Sequence, residues 1–334
     1  MWQEVFRIPF INRPVYGYGL MLVIGFLCAA QLAKYLAGRC RLNGDTFVNA
    51  GLLALVSGVI GARLSHIFES LADPHNTEFA RNGHTLWQNF VAMLNVSSGG
   101  LTFYGGFLLA TPVLIFYAIK KKVPLLLGMD IMAPCLMIGL AFGRIGCYFN
   151  GCCYGEECSL SWGARFPYGS NAFVEQYENG EIDVPDKLDS SGKVITLKDA
   201  AHPLANGLPR LLTKVEIRDH KELENYADSL RAKPVHPTEL YSAFNSFLVA
   251  AILLAYFSLT PAAGRVFGLM LILEGASRYI LEMIRVEPPV LGHLSFSMVL
   301  GVAFAILGVL MWLLCGRLAK HPDQPRGFTP LPTA

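Results

Sequence analysis

Charge is scarce in this sequence. Of 334 residues, 16% are Asp, Glu, Lys or Arg and 53% are hydrophobic, whereas about a quarter of a soluble domain is charged. With a mean hydropathy of +0.42, this shortage excludes an ordinary water-soluble globule and leaves a membrane protein. The net charge is only +2, and no basic run is interleaved with aromatics, so nothing recommends nucleic acid as a partner. Internal repeats of the kind that mark inverted-repeat transporters are also lacking. The N-terminus, MWQEVFRIPFINRPVYGYG, has no charged segment followed by an uninterrupted apolar core and a small-residue cleavage site. It is therefore expected to stay in the mature chain.

What is present is a series of apolar runs near the roughly 20 residues that cross a bilayer. Seven fit: 16–33, 47–68, 99–119, 123–149, 240–259, 266–283 and 294–314. Basic residues follow alternate runs: Lys34, Arg39 and Arg41, then Lys120 to Lys122, Arg265, and Arg317 with Lys320. An excess of Lys and Arg marks the cytoplasmic side. The N-terminus and two long loops are then expected outside, and the C-terminus inside. The expected architecture is an all-α membrane protein of about seven transmembrane helices with an outward-facing, periplasmic inserted head. Its divisions are helices one to four with an outward loop at 69–98 (1–160), the inserted subdomain (161–235), helices five to seven (236–316) and a Pro-rich cytoplasmic tail (317–334). In the first loop, Leu86 to Leu94 reads either as an interfacial amphipathic segment or as a solvated loop. The second loop carries turn signals at Pro185-Asp186, Ser190 to Gly192 and Asn206-Gly207.

Ionisable residues inside a span are costly and usually face a bundle interior or aqueous cavity. The sixth run carries Glu274, Arg278, Glu282 and Arg285 at steps of four, four and three, a single helical stripe of alternating sign. Such a stripe reads as a structural ladder of ion pairs or as a grip on an anionic lipid headgroup, since guanidinium binds phosphate bidentately. Arg144, late in the fourth run among Gly143, Gly146, Gly151 and Gly155, adds a guanidinium that helix packing alone does not explain. Arg63 fits snorkelling to the interface, His66 a satisfied interface histidine, and Asp130 the N-terminus of its own helix. His236, in HPTELY, reads as a general acid or base or as a helix-start contact.

Cys28, Cys40, Cys135 and Cys315 lie in or beside apolar runs and read as small hydrophobes. Cys147, Cys152, Cys153 and Cys158 cluster with a spacing that differs from the C-x2-C pairs of zinc sites, so no metal and no cofactor are expected. A disulfide among Cys152, Cys153 and Cys158 and a set of free thiols both remain open.

At these residues the chain resembles the bacterial prolipoprotein diacylglyceryl transferases. The likeness is carried by YGYGLM (Tyr16 to Met21), GARL (Gly61 to Leu64), GGLTFYGG (Gly99 to Gly106), D-x3-P followed by GRIGCYFNGCCYG (Asp130 to Gly155), HPTELY (His236 to Tyr241) and R-x3-E-x2-RVE from Arg278. Six pieces in order cover nearly all of the apolar portion. The loop from about Arg165 to Val235 matches none of them and stands where that family carries its head.

The resemblance implies an enzyme of the bacterial plasma (inner) membrane. It moves the diacylglyceryl group of phosphatidylglycerol to the lipobox cysteine of a prolipoprotein signal peptide and releases glycerol phosphate. The expected catalytic set is Arg144, Arg278 and Glu282, carried by the resemblance with Glu282 orienting Arg278, together with Tyr104 and His236 as candidates for the proton's handling. The expected phosphatidylglycerol-binding set is Arg144, Arg278, Tyr18 and Gly155, carried by the resemblance, with Asn150 and Arg285 beside them. Departures accompany it: Tyr104 stands where the family has a histidine proposed as base, and its phenol, with a reference pKa of about 10, is a poor substitute. Cys147 and Cys152 replace an Asn and a Glu. A transporter for an anionic lipid or solute and a thiol redox protein using Cys152 and Cys153 are the competing classes.

Overall fold

A chain segment inside a bilayer must satisfy its own backbone polar groups, and a helix does so within one segment. The apolar runs accordingly form helices. The computed structural model describes residues 4–7, 14–72, 102–188, 194–204, 206–217, 220–259, 261–285 and 295–318. Its helices are α1 (Gly17–Arg39), α2 (Gly44–Ala72), α3 (Phe103–Lys120), α4 (Leu125–Asn150), α5 (Asn171–Glu178), α6 (Lys214–Ile217), α7 (Lys221–Ser229), α8 (Thr238–Ser258), α9 (Arg265–Glu282) and α10 (Phe296–Leu318). Three short antiparallel ladders accompany them: β1 (Glu4–Arg7) with β2 (Pro14–Tyr16), β3 (Lys187–Leu188) with β4 (Val194–Ile195), and β5 (Lys198–Pro203) with β6 (Pro209–Leu211). The expected segments at 86–94 and 190–192 and the tail lie outside the described residues.

Among the described residues, five helices are long and apolar enough to cross a membrane: α1, α2 through Ser70, α4, α8 and α10 through Arg317. The apolar part of α3, Tyr104–Lys120, is shorter. Helix α9 carries Arg265, Glu274, Arg278 and Glu282 within 18 residues, which takes it out of that class. The expected seven thus meet five that qualify on length and composition. Large apolar side chains point outward around the bundle, among them Leu27, Val56, Phe107, Leu108, Phe116, Phe244 and Leu310. An apolar exterior of this extent suits lipid as its solvent.

Helix α4 is the hub, packing on α1, α8 and α9. Its Ile131, Ala133, Cys135 and Met137 join Ala33 and Leu36 of α1, Val249 and Leu253 of α8, and Val266 and Met270 of α9 in one core. Asp130 is fully buried in that core. Its carboxylate accepts from the backbone N–H groups of Gly264 at 2.8 Å and Phe267 at 2.9 Å, donors that have no partner within a helix's first turn. The sequence reading assigned Asp130 to the start of its own helix. The structure shows it capping α9 instead, because its position in the second turn of α4 faces that helix start. Helix α9 in turn packs on α10 at Gly275, where a Cβ would meet the carbonyl oxygen of Gly301 at 2.4 Å. The two backbones touch, which fixes the rotation of the charged stripe.

Between α4 and α8 the polar insertion builds a core of its own from Phe166, Tyr168, Phe173, Tyr177, Val184, Leu197 and Tyr226. Its buried phenols are satisfied: Tyr168 donates to the Leu212 carbonyl at 2.7 Å and Tyr177 to the Pro209 carbonyl at 2.9 Å. Ser170 caps α5 by accepting from Phe173 N–H at 3.3 Å. The Asn206-Gly207 turn joins β5 to β6, with Gly207 at φ +83° and Asn206 Oδ1 accepting from Leu208 N–H at 3.1 Å. Tyr148 and Tyr154 meet Phe166 at ring-centroid distances of 5.9 and 6.1 Å, which couples this second core to the end of α4.

Candidate active site

Four segments converge on one cleft that opens to the outside of the bundle. Helix α9 contributes Glu274, Ser277, Arg278, Leu281 and Glu282, with Arg285 just beyond it; α8 contributes Thr238, Ser242 and Asn245; α4 and the turn after it contribute Arg144 and Cys153; α10 contributes Ser297. The α9 residues follow steps of three and one, and the α8 residues steps of four and three. Both patterns define a single helical face. Sequence reasoning found the charged members of this stripe. It missed Thr238, Ser242, Asn245, Ser277 and Ser297, although the polar spacing within α8 was there to be read.

Three guanidiniums face two carboxylates in this lining. Arg278 Nε lies 3.8 Å from Glu274 Oε1, and Arg285 Nη1 lies 3.6 Å from Glu282 Oε2. Both contacts are longer than the 2.7–2.9 Å of a charge-assisted hydrogen bond. Arg144 forms no ion pair among the described residues, so guanidiniums outnumber carboxylates in the lining by one, with Cys153 and Glu239 close enough to act on it. Glu282 is buried and accepts from Ser295 Oγ at 3.1 Å. Its ion-pair partner is Arg285 rather than Arg278, which corrects the expected pairing: α9 ends at Glu282, and the turn after it brings Arg285 back onto that carboxylate.

The remaining expected site residues separate into two groups. Tyr18, Asn150 and Gly155 gather around the end of α4, beside the cleft but outside its lining. Gly146, one turn below, packs on Tyr18 so closely that a Cβ would lie 3.3 Å from its Cα. The Asn150 side chain hydrogen-bonds the Cys152 thiol. Gly155 N–H donates to the His236 carbonyl at 2.9 Å, and Glu156 N–H to the Ile284 carbonyl at 3.1 Å. A Cβ on Gly155 would meet Thr238 Cγ2 at 2.7 Å and the Ile284 oxygen at 2.9 Å. Tyr104 and His236 are not part of the cleft lining. Tyr104 is exposed and packs edge-on against Phe296, 6.1 Å away. His236 Nδ1 lies 3.3 Å from Tyr241 Oη, which also accepts from Trp162 Nε1 at 2.9 Å. The half-buried imidazole thus meets a tyrosine in the first turn of α8.

Two features appear only in three dimensions. Cys147, Cys152 and Cys153 bring their sulfur atoms within 4.8 Å of one another. Hydrogen bonds from the Cys147 and Cys152 thiols, with Arg285 and Arg144 nearby, hold the Cys153 thiol well below its ordinary value. Glu239, the second residue of α8, is buried with neither carboxylate oxygen hydrogen-bonded among the described residues. A single Glu in an N-terminal helical turn carries no sequence signal for such burial.

The fold and the cleft define a helical membrane protein with a cleft lined by more guanidiniums than carboxylates. A family model described as prolipoprotein diacylglyceryl transferase matches residues 3–314, and the chain belongs to that family. A relative from Rhodopirellula baltica is 32% identical over 173 residues, 52% of this chain and 34% of that protein. One from Clostridium tetani is 24% identical over 300 residues, 89% of this chain and 92% of its own. A third, from Corynebacterium diphtheriae, is 27% identical over 275 residues, 82% of this chain and 78% of its own. All three are named phosphatidylglycerol–prolipoprotein diacylglyceryl transferase.

Proposed function

We propose that this chain transfers the sn-1,2-diacylglyceryl group of phosphatidylglycerol to the thiol of a prolipoprotein lipobox cysteine. The bond between the glyceryl carbon and the phosphate oxygen breaks, a thioether forms, and glycerol phosphate leaves. The protein is a membrane-bound transferase of the first step of lipoprotein maturation. Family membership and the shared name of its relatives support the reaction. The observation that carries its chemistry is the excess of guanidinium over carboxylate in the cleft.

A leaving phosphate develops charge as the C–O bond stretches, and donors preorganised around it usually supply the largest part of catalysis. Arg144 and Arg278 hold the phosphate. Arg285, braced by Glu282, completes its binding, while Tyr18, Asn150 and Gly155 shape the headgroup's seat. Tyr104 donates a hydrogen bond from the cleft's edge. His236 acts through its backbone, by holding Gly155. Helices α3 and α9 complete seven crossings, with the inserted head and the cleft at the periplasmic face of the inner membrane and the C-terminus in the cytoplasm. The precursor and lipid reach the cleft laterally.

The test is mass spectrometry of a lipobox peptide incubated with the purified protein and phosphatidylglycerol in nanodiscs. One diacylglyceryl mass added at cysteine, and none when that cysteine is serine, is the expected result. Solute uptake into proteoliposomes without any covalent product would replace the transferase by an anion transporter.

A further inference from the structure

The three-thiol cluster is not used by the proposed transfer, and its construction is specific. Cys147 sits in the last turn of α4. Gly151, at φ +70°, ends that helix in the left-handed region and turns the chain back, with Cys152 N–H donating to the Cys147 carbonyl at 3.2 Å. Cys153 is itself left-handed at φ +67°, a conformation non-glycine residues adopt at a cost and keep where their surroundings dictate it. Its carbonyl accepts from Thr238 Oγ1 at 2.7 Å, which anchors the turn to α8. The consequence is that sulfurs five and six residues beyond Cys147 fold over it, all within 4.8 Å.

A tetrahedral ion with metal–sulfur bonds of about 2.3 Å separates its thiolates by roughly 3.8 Å. Small rotations of the thiols suffice to reach that spacing. The sequence spacing spoke against a metal because C-x2-C loops are how zinc sites commonly bring two thiols together. A left-handed helix cap achieves the same convergence here by another route. Glu239 supplies a second, independent observation. It is 1% exposed, has neither carboxylate oxygen hydrogen-bonded among the described residues, and directly follows Thr238, whose hydroxyl holds the Cys153 carbonyl. A buried carboxylate without hydrogen bonds is costly, and a cation held by the neighbouring sulfurs would offset that cost.

We propose that Cys147, Cys152 and Cys153 form a three-thiolate site for a soft, thiophilic cation of the zinc type at the lip of the cleft. Three sulfurs select such ions over magnesium or calcium, which prefer oxygen. Cys153 also lines the cleft, so the ion braces the turn from Gly151 to Gly155 beside the arginines. It is a site additional to the phosphate-binding residues.

The experiment uses the full-length protein in detergent, reduced and stripped with a chelator, then titrated with Co²⁺ alone and back-titrated with Zn²⁺. A thiolate-to-cobalt charge-transfer band that saturates at one equivalent per chain and is displaced by Zn²⁺ is expected. Cys147→Ser, Cys152→Ser and Cys153→Ser should each weaken Co²⁺ binding at least tenfold. Cys158→Ser, which changes a buried cysteine outside the trio, should leave it unchanged. Should one serine variant fail to fold, alanine at Cys152 tests the same loss. Absence of the band from folded protein with its thiols reduced would overturn the proposal. So would persistence of the band in the triple serine variant, or a native disulfide between two of the three cysteines. The readout needs no turnover: a chain without transferase activity can still give the band, and an active chain without it refutes only the metal site.

Discussion

Asp130 and Phe267 are 137 positions apart, yet the carboxylate of one accepts from the backbone N–H of the other at 2.9 Å. With the matching bond from Gly264 at 2.8 Å, α4 sets where α9 begins and hence the height at which Arg278 enters the cleft. Asp130→Ala should cost about 3 kcal/mol, since hydrogen bonds to a buried charged group contribute roughly 1.5–3 kcal/mol each. A melt in detergent checks this. An unchanged melting temperature would show that α9 does not depend on the cap.

Arg144→Ala and Arg278→Ala should each lower thioether formation by roughly 10²-fold or more, the usual cost of a lost oxyanion donor. Lysine at either position should recover only part of it, because an ammonium cannot present the planar fork. The readout is product per unit time from membranes carrying equal amounts of inserted protein. Near-normal turnover in both alanine variants would remove the phosphate assignment.

Gly155→Ala puts a methyl group 2.7 Å from Thr238 Cγ2 and 2.9 Å from the Ile284 oxygen. Overpacking of this kind costs about 1–3 kcal/mol, and here it also widens the cleft lip, so stability and turnover should fall together. Gly38→Ala, where no atom lies within 4 Å of the new methyl, should be neutral or slightly stabilising. Comparing the two variants by melt and by peptide assay separates a local clash from a general intolerance of helix changes.

The inserted head should lose one specific contribution in acid. Glu216 accepts from Arg210 at 2.8 Å and from Thr213 N–H at 2.7 Å, and these bonds hold its carboxyl at about 2. A pKa depressed by folding means that the ionised form favours the fold. That contribution is fully present above the ordinary value of about 4.3 and disappears as pH falls toward 2. The melting-temperature gap between the wild type and Glu216→Gln should therefore be constant from pH 7 to about 5 and close below about 4. A gap that stays open in acid would mean that the charge of Glu216 is not what Arg210 reads.

Much of this was legible in the sequence because membrane helices announce themselves by length and apolarity. All seven anticipated runs coincide with helices, and the stripe from Glu274 to Arg285 was readable from its spacing. Pairing within the stripe was not, since whether Glu282 meets Arg278 or Arg285 depends on where α9 stops. Asp130 was misassigned for a related reason. A lone acid near a helix start points to that helix, and nothing local reveals that another helix begins beside it. The three-cysteine convergence was hidden because it depends on a left-handed cap, whereas spacing rules assume a loop. His236 drew attention by its chemical type, and in the fold its ring meets Tyr241 while its carbonyl holds Gly155.

The turn from Gly151 to Glu156 is held by Ala172, Thr238, His236 and Ile284 through hydrogen bonds of 3.3, 2.7, 2.9 and 3.1 Å. Three of these four partners lie more than 80 positions downstream. During synthesis at roughly 5–20 residues per second, Arg144 is in place many seconds before the groups that enclose it have been made. The cleft therefore assembles late, after α8 and α9 have been inserted. A nascent chain halted before Ile284 carries Arg144 and Arg278 but lacks Arg285, Ser297 and the carbonyl that holds Glu156.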